Sequence, residues 1–233
     1  MTSALWIKIC GLQTSEAIRT AIDAGADAVG FVWFAPSPRH IHGQEARTVL
    51  DAATVDLEAS KRPEVVSLTV DASDQELESI VSQLNPDIFQ LHGQETPERA
   101  AAIRSRYGKP VMKALLVSGP EDMAAIGDYR DNVDRILFDA RPPKGATRPG
   151  GNGETFDWSL LDSLDRDYPY VLGGGLGPDN VAKAVTSVRP WGIDVSSGVE
   201  SSKGVKSPAL IRAFVEAARS AAANLPKLAD AAE

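Results

Sequence analysis

Short runs of β-branched and apolar residues alternate along almost the whole chain with stretches whose apolar positions recur every three to four residues. LWIKI at 5–9 is the first run, and Ala17, Ile18, Ala21 and Ile22 then mark one face of a helix from Thr14 to Ala24. AVGFVW at 28–33 precedes a helix from Gln44 to Ala59, VVSLTV at 65–70 one from Asp74 to Leu84, and DIFQL at 87–91 one from Pro97 to Tyr107. The second half repeats the scheme. VMKALL at 111–116, RILF at 135–138, YVLG at 170–173 and GIDV at 192–195 alternate with helical patterns at about 120–129, 157–164, 179–188 and 207–224.

Strands that alternate with helices demand a parallel sheet, because a parallel neighbour is reached only through a crossover. Eight such units in 233 residues predict an α/β fold, a (β/α)8 TIM barrel with one domain spanning 1–233. An open doubly wound sheet is the alternative. Its dinucleotide-binding form is unsupported, since Cys10-Gly11-Leu12 follows the first strand in place of a glycine-rich turn. Arg141 to Gly153, rich in Pro and Gly, is the longest loop and the candidate lid, and the Ala-rich tail after Asn224 is expected to fray.

Composition narrows the function. With 32 acidic and 24 basic side chains the net charge is −8, which argues against nucleic acid and anionic membranes as partners. An anionic metabolite remains compatible, provided its pocket is locally positive, because distant charges are screened over about 8 Å. One cysteine excludes an internal disulfide and any zinc site built from several thiolates. The N-terminal MTSALWIKICG has a short apolar run broken by Lys8, unlike a signal peptide or a membrane span, so a cytoplasmic protein is expected.

A barrel builds its active site from the loops at the C-terminal ends of its strands. Cys10 ends the first strand beside a glycine; most free cysteines are small buried hydrophobes, but this place also suits a base or nucleophile. A thiol of ordinary pKa ~8.5 is only about 3% thiolate at pH 7, so such a role needs an electropositive setting. Lys8 is assigned no part in it. Asp139 follows the sixth strand and reads either as a loop cap or as an acid. An ordinary carboxyl is about 0.1% protonated at pH 7, so a proton donor here needs desolvation or a neighbouring negative charge worth roughly 4 kcal/mol. Arg39, between prolines and histidines after the second strand, suits a carboxylate through its planar fork. Gly173-Gly174-Gly175 and Ser196-Ser197-Gly198 follow the last two strands, where barrels hold phosphate on backbone N–H groups. His40, His42 and His92 have no carboxylate at ligand spacing, so no metal site is predicted, and Phe156-Asp157-Trp158 reads as a helix cap with aromatic anchors.

These pieces together resemble one family. KICGL at 8–12, GADAVGF at 25–31, SPR at 37–39, QLHGQE at 90–95, LFDA at 137–140, GGNGETFDW at 150–158, LGGGL at 172–176 and DVSSGVESSKGVK at 194–206 are similar to the phosphoribosylanthranilate isomerases of tryptophan biosynthesis. The resemblance implies a cofactor-free Amadori rearrangement of a phosphorylated small-molecule substrate. It implies Asp139 as general acid on the ribose ring oxygen and Cys10 as general base at C2. Arg39 would face the anthranilate carboxylate, Asp194 would lie near its nitrogen, and His92 would belong to the substrate pocket. Gly174, Gly175, Ser196, Ser197 and Gly198 would hold the phosphate. Asn152 stands where the family more often has a hydroxyl residue, and Gly173 where alanine is common. A monomer or a homodimer is compatible with the sequence. The rival enzymes are other phosphosugar isomerases or epimerases and indole-glycerol-phosphate synthase, and the rival of another class is a non-catalytic barrel that binds a phosphorylated metabolite.

Overall fold

The computed structural model describes residues 5–141, 150, 151, 153, 155–164 and 168–225. Eight parallel strands close on themselves: β1 (Trp6–Cys10), β2 (Ala28–Trp33), β3 (Glu64–Thr69), β4 (Ile88–Leu91), β5 (Val111–Val117), β6 (Arg135–Ala140), β7 (Tyr170–Leu172) and β8 (Gly192–Val195). The closing seam pairs β1 with β8 and sets Lys8 directly opposite Asp194. The helices outside are α1 (Ser15–Ala24), α2 (Gly43–Thr54), α3 (Asp74–Gln83), α4 (Pro97–Tyr107), α5 (Ala125–Tyr129), α6 (Val181–Val188) and α7 (Pro208–Ala223). Their starts are locally encoded. Thr14, Ser73, Thr96 and Ser207 each accept a backbone N–H from the first turn, and Pro97 and Pro208 occupy the first helical position, where no donor is needed. Among the described residues no helix is long and apolar enough to cross a membrane.

Two apolar regions hold the barrel together. Ile7, Ile9, Phe31, Phe89, Phe138 and Phe214 belong to the layer between strands and helices. Inside the barrel, Trp6, Ala28, Val66, Ile88, Met112, Leu137 and Val171 form a plug at the N-terminal end of the strands. The Arg135 guanidinium lies 5.3 Å from the Trp6 ring and 4.1 Å from the Trp191 ring, extending this plug with cation–π contacts.

Three expectations need correction. The helix predicted to reach Ala59 stops at Thr54, because Val55 is 81% exposed and there is nothing further for an apolar stripe to cover. The segments expected as helices at 120–129 and 157–164 are a 3-10 turn running into the short α5, and a 3-10 turn over Trp158–Ser163. In the first, Asp122 accepts the Ser118 and Gly119 N–H groups and favours a tight local turn. Third, β6 runs past Phe138, so Asp139 belongs to the strand and pairs with Leu116 of β5. A small hairpin, β9 (Glu200–Ser202) with β10 (Val205–Lys206), follows β8 and was not predicted. Most of the candidate lid, residues 142–149 and Asn152, lies outside the described residues, as does the tail beyond Leu225.

Candidate active site

Side chains alternate between the two faces of a strand, so residues two apart share a face. On β1 that rule carries the inward face from Trp6 to Lys8 to Cys10, on β4 from Ile88 to Gln90 and on to His92, and on β6 from Leu137 to Asp139. At the mouth, Cys10, Arg39, His92, Asp194 and Ser196 line one cavity. Asp139 stands one contact behind its wall. Its Oδ2 lies 3.2 Å from His92 Nε2, an electrostatic contact without the alignment of a full hydrogen bond. Gly150 covers both groups: a Cβ there would come within 2.7 Å of Asp139 Oδ2 and of His92 Nε2. Gln90 Nε2 is 3.1 Å from His92 Nδ1; donating there, it leaves the remaining ring proton on Nε2, toward Asp139.

Cys10 is 2% exposed. Burial pushes its thiol up, the Lys8 charge pulls it down, Asp194 pushes it up again and Lys206 opposes; the net direction is upward. Lys8 is wholly buried, with Nζ 2.6 Å from Asp194 Oδ1. Burial works against its charge, yet Asp194 and Cys10 outweigh that and raise its pKa. Sequence reasoning passed over Lys8, although the period of two places it on the face of Cys10.

Arg39 does not present an open fork. Its Nε and Nη2 donate to Glu200 at 2.6 and 2.9 Å, and Glu200 also accepts from Lys206 Nζ at 2.8 Å. Burial would raise the Glu200 carboxyl, but hydrogen bonds from Arg39 and Lys206, together with the Lys206 charge, hold it at about 2. The Nη1 edge of Arg39 faces Gly151, whose Cβ, if present, would lie 2.5 Å away. Glu200 and Lys206 sit within the DVSSGVESSKGVK motif, and its charged residues on a loop of the barrel mouth were the available signal for them.

Lys206 also donates to Ser196 O at 2.8 Å, which ties the loop after β8 to the hairpin. The 3-10 turn Ser197–Val199 begins in that loop and leaves its first N–H groups without partners inside the turn. Gly198 packs against the loop after β7 so closely that a Cβ would strike Leu176 O. Gly174, with φ of 78°, has its vacant Cβ position 2.4 Å from Ala140 N and 3.0 Å from Asp139 Oδ1. It therefore abuts the end of β6 as well as lying beside Gly175 in the glycine loop. A Cβ on Gly173 would approach Leu137 and the Phe138 carbonyl to 3.3 Å, so alanine there requires a small local adjustment. His40 and His42 pack edge-on against Trp33, and Asp157 accepts the Ser159 N–H at 3.0 Å as the predicted cap.

A family profile described as N-(5'phosphoribosyl)anthranilate (PRA) isomerase matches residues 7–217. The chain belongs to this family. The N-(5'-phosphoribosyl)anthranilate isomerase of Bradyrhizobium diazoefficiens is 53% identical over 216 residues, covering 93% of this chain and 94% of that one. That of Rhodopseudomonas palustris is 50% identical over 215 residues, covering 92% and 98%. Among solved structures, the phosphoribosylanthranilate isomerase of Thermotoga maritima has a TM-score of 0.81 at 37% identity over 93% of this chain and 99% of that one. A phosphoribosylanthranilate isomerase in complex with reduced 1-(o-carboxyphenylamino)-1-deoxyribulose 5-phosphate has a TM-score of 0.78 at 34% identity, with the same coverage of both chains. The TIM barrel foreseen from the alternating strand and helix patterns and the isomerase family foreseen from the motifs are thus both established.

Proposed function

We propose that this member of the isomerase family converts N-(5-phosphoribosyl)anthranilate to 1-(2-carboxyphenylamino)-1-deoxyribulose 5-phosphate in tryptophan biosynthesis, with Asp139 as acid and Cys10 as base. The observation that carries the assignment is the single cavity shared by Cys10, Arg39, Asp194 and Ser196, with Asp139 immediately behind its His92 and Gly150 wall. Protonated Asp139 gives its proton to the ribose ring oxygen. The C1–O bond breaks as the anilino nitrogen lone pair forms a C=N bond, leaving a protonated Schiff base. The Cys10 thiolate then takes the C2 proton, and the C–H electrons move through C1 to nitrogen to give an enolamine. Loss of the proton from the 2-hydroxyl and addition of one at C1 complete the ketose. Atoms and electrons balance without a redox partner or cofactor.

Both anionic ends of the substrate meet complementary groups. The carboxylate would take the Nη1 edge of Arg39 on displacing Gly151, which covers that edge here, with the other edge fixed by Glu200, and Asp194 faces the nitrogen. The phosphate takes the N–H groups of Gly174, Gly175, Ser197 and Gly198 and the Ser196 hydroxyl, while Lys206 behind Ser196 supplies local positive charge. This answers the difficulty of an anionic substrate on a chain of net charge −8. In this reading one barrel domain carries the whole reaction in the cytoplasm, as a monomer or homodimer; the Thermotoga maritima isomerase is described as dimeric.

Freshly made phosphoribosylanthranilate loses its fluorescence on conversion, which gives the assay. Wild-type chain is expected to turn it over, and Cys10→Ala and Asp139→Asn to lose turnover while still binding a phosphorylated product analogue. Full activity in both variants overturns the assignment. A base and an acid acting together also require a bell-shaped dependence of kcat/KM on pH, and a flat profile between pH 5 and 9 contradicts it.

A further inference from the structure

A lysine with no solvent exposure is costly unless something needs its charge. Lys8 sits inside the barrel on the strand that carries Cys10, two residues earlier and on the same face. Asp194, its cross-strand partner at the closing seam, anchors its Nζ at 2.6 Å. On β2, opposite Cys10 in register, stands Gly30, and the absence of a side chain there leaves a space that both the ammonium and the sulfur border. A Cβ on Gly30 would lie 3.0 Å from Cys10 Sγ and 3.3 Å from Lys8 Nζ. The other charged or titratable groups around the sulfur are Asp194 from β8, Lys206 from β10, and Arg39, Glu200 and His92 about the same cavity.

We propose that Lys8 is a positioning residue for the base of the reaction: its buried ammonium, fixed by Asp194, faces the Cys10 sulfur and stabilises the thiolate that must remove the C2 proton. The catalytic relevance rests on the assignment of Cys10 as base, whereas the electrostatic coupling is a property of the free protein. Burial opposes the thiolate at this position, and Lys8 is the largest favourable influence against it.

The chain has one cysteine, so the pH dependence of alkylation by iodoacetamide reports Cys10 without substrate and without interference. In Lys8→Met the alkylation midpoint is expected to move up by at least one pH unit, and the ascending limb of kcat/KM to move with it. At pH 7 kcat/KM should fall about tenfold or more through kcat, with KM changed less than threefold. A folded Lys8→Met protein whose alkylation midpoint matches wild type overturns the inference. Should that variant fail to fold, Lys8→Gln decides, since the amide can still donate to Asp194 but carries no charge: its alkylation midpoint should likewise rise by at least one pH unit, and a midpoint matching wild type overturns the coupling. Failure of the Cys10 assignment looks different, with Cys10→Ala retaining turnover or wild type failing to convert substrate, whatever the alkylation curves show.

Discussion

The two ends of the barrel interior are built from the same strands and differ completely in chemistry. At the N-terminal end Trp6, Ile88, Leu137 and Val171 form a dry apolar plug. One step of two residues along three of those strands gives Lys8, Gln90 and Asp139, and a further step gives Cys10 and His92. Over the same steps β2 and β3 stay small or apolar, with Gly30, Val32 and Leu68. The lower layer supplies burial, at about 25 cal/mol per Å² of apolar surface. The upper layer spends part of that on buried polar groups, and offsets the cost by pairing: Lys8 with Asp194, His92 with Asp139, and Arg39 and Lys206 with Glu200. On the proposed assignment, stability and chemistry are separable along a strand, within two residues.

The sharpest probe of that separation lies on β6. Asp139→Asn should reduce kcat by 10²- to 10⁴-fold, roughly 3–5 kcal/mol of barrier, with the melting temperature nearly unchanged. Leu137→Ala, two residues earlier, should cost roughly 2–5 kcal/mol in a denaturant titration while kcat per folded molecule stays within about twofold. If Leu137→Ala abolishes turnover in a folded protein, the layers are coupled and the separation fails.

A smaller effect is expected at the rim. Glu200→Gln weakens the bonds that orient Arg39, and a charge-assisted hydrogen bond is worth roughly 1.5–3 kcal/mol. KM should rise about tenfold or more with kcat within threefold; a fall in kcat at constant KM would place Glu200 in the chemical step. The smallest effect is on stability against pH. Because folding lowers the Glu200 carboxyl from its ordinary 4.5 to about 2, its contribution is complete above about pH 4.5 and is lost as pH falls toward 2. Wild type should therefore lose its stability advantage over Glu200→Gln progressively between pH 5 and 2.5. A difference between the two proteins that stays constant over this range would contradict the linkage.

Much of this was legible residue by residue. The run AVGFVW marks β2 over its full observed span, Ala28–Trp33, because a parallel strand buried on both faces reads as a continuous apolar run. Cys10 and Asp139 were placed at the mouth of the barrel by the same reasoning, although Asp139 lies within β6 and not after it, and the motifs then named the family. Arg39 shows where this stops: its fork was legible from residue type, but the carboxylate that fills one edge of it comes from a residue 161 positions later. Lys8 was lost for a different reason, since its local period was visible but its partner Asp194 is 186 positions away across the seam.

Alternation of apolar residues, helix caps and turn glycines act over a few neighbours, so the eight strands, most of the helices between them and the identity of the groups at the strand ends are contained in the amino-acid order alone. Pairing of buried charges is not a local property. It depends on how the last strand meets the first when the sheet closes, and only that register sets Lys8 opposite Asp194 beneath Cys10 and brings Glu200 against Arg39. An ammonium or carboxylate out of water is tolerable only where its counter-charge lies within hydrogen-bond reach, and that distance is created by closure of the barrel.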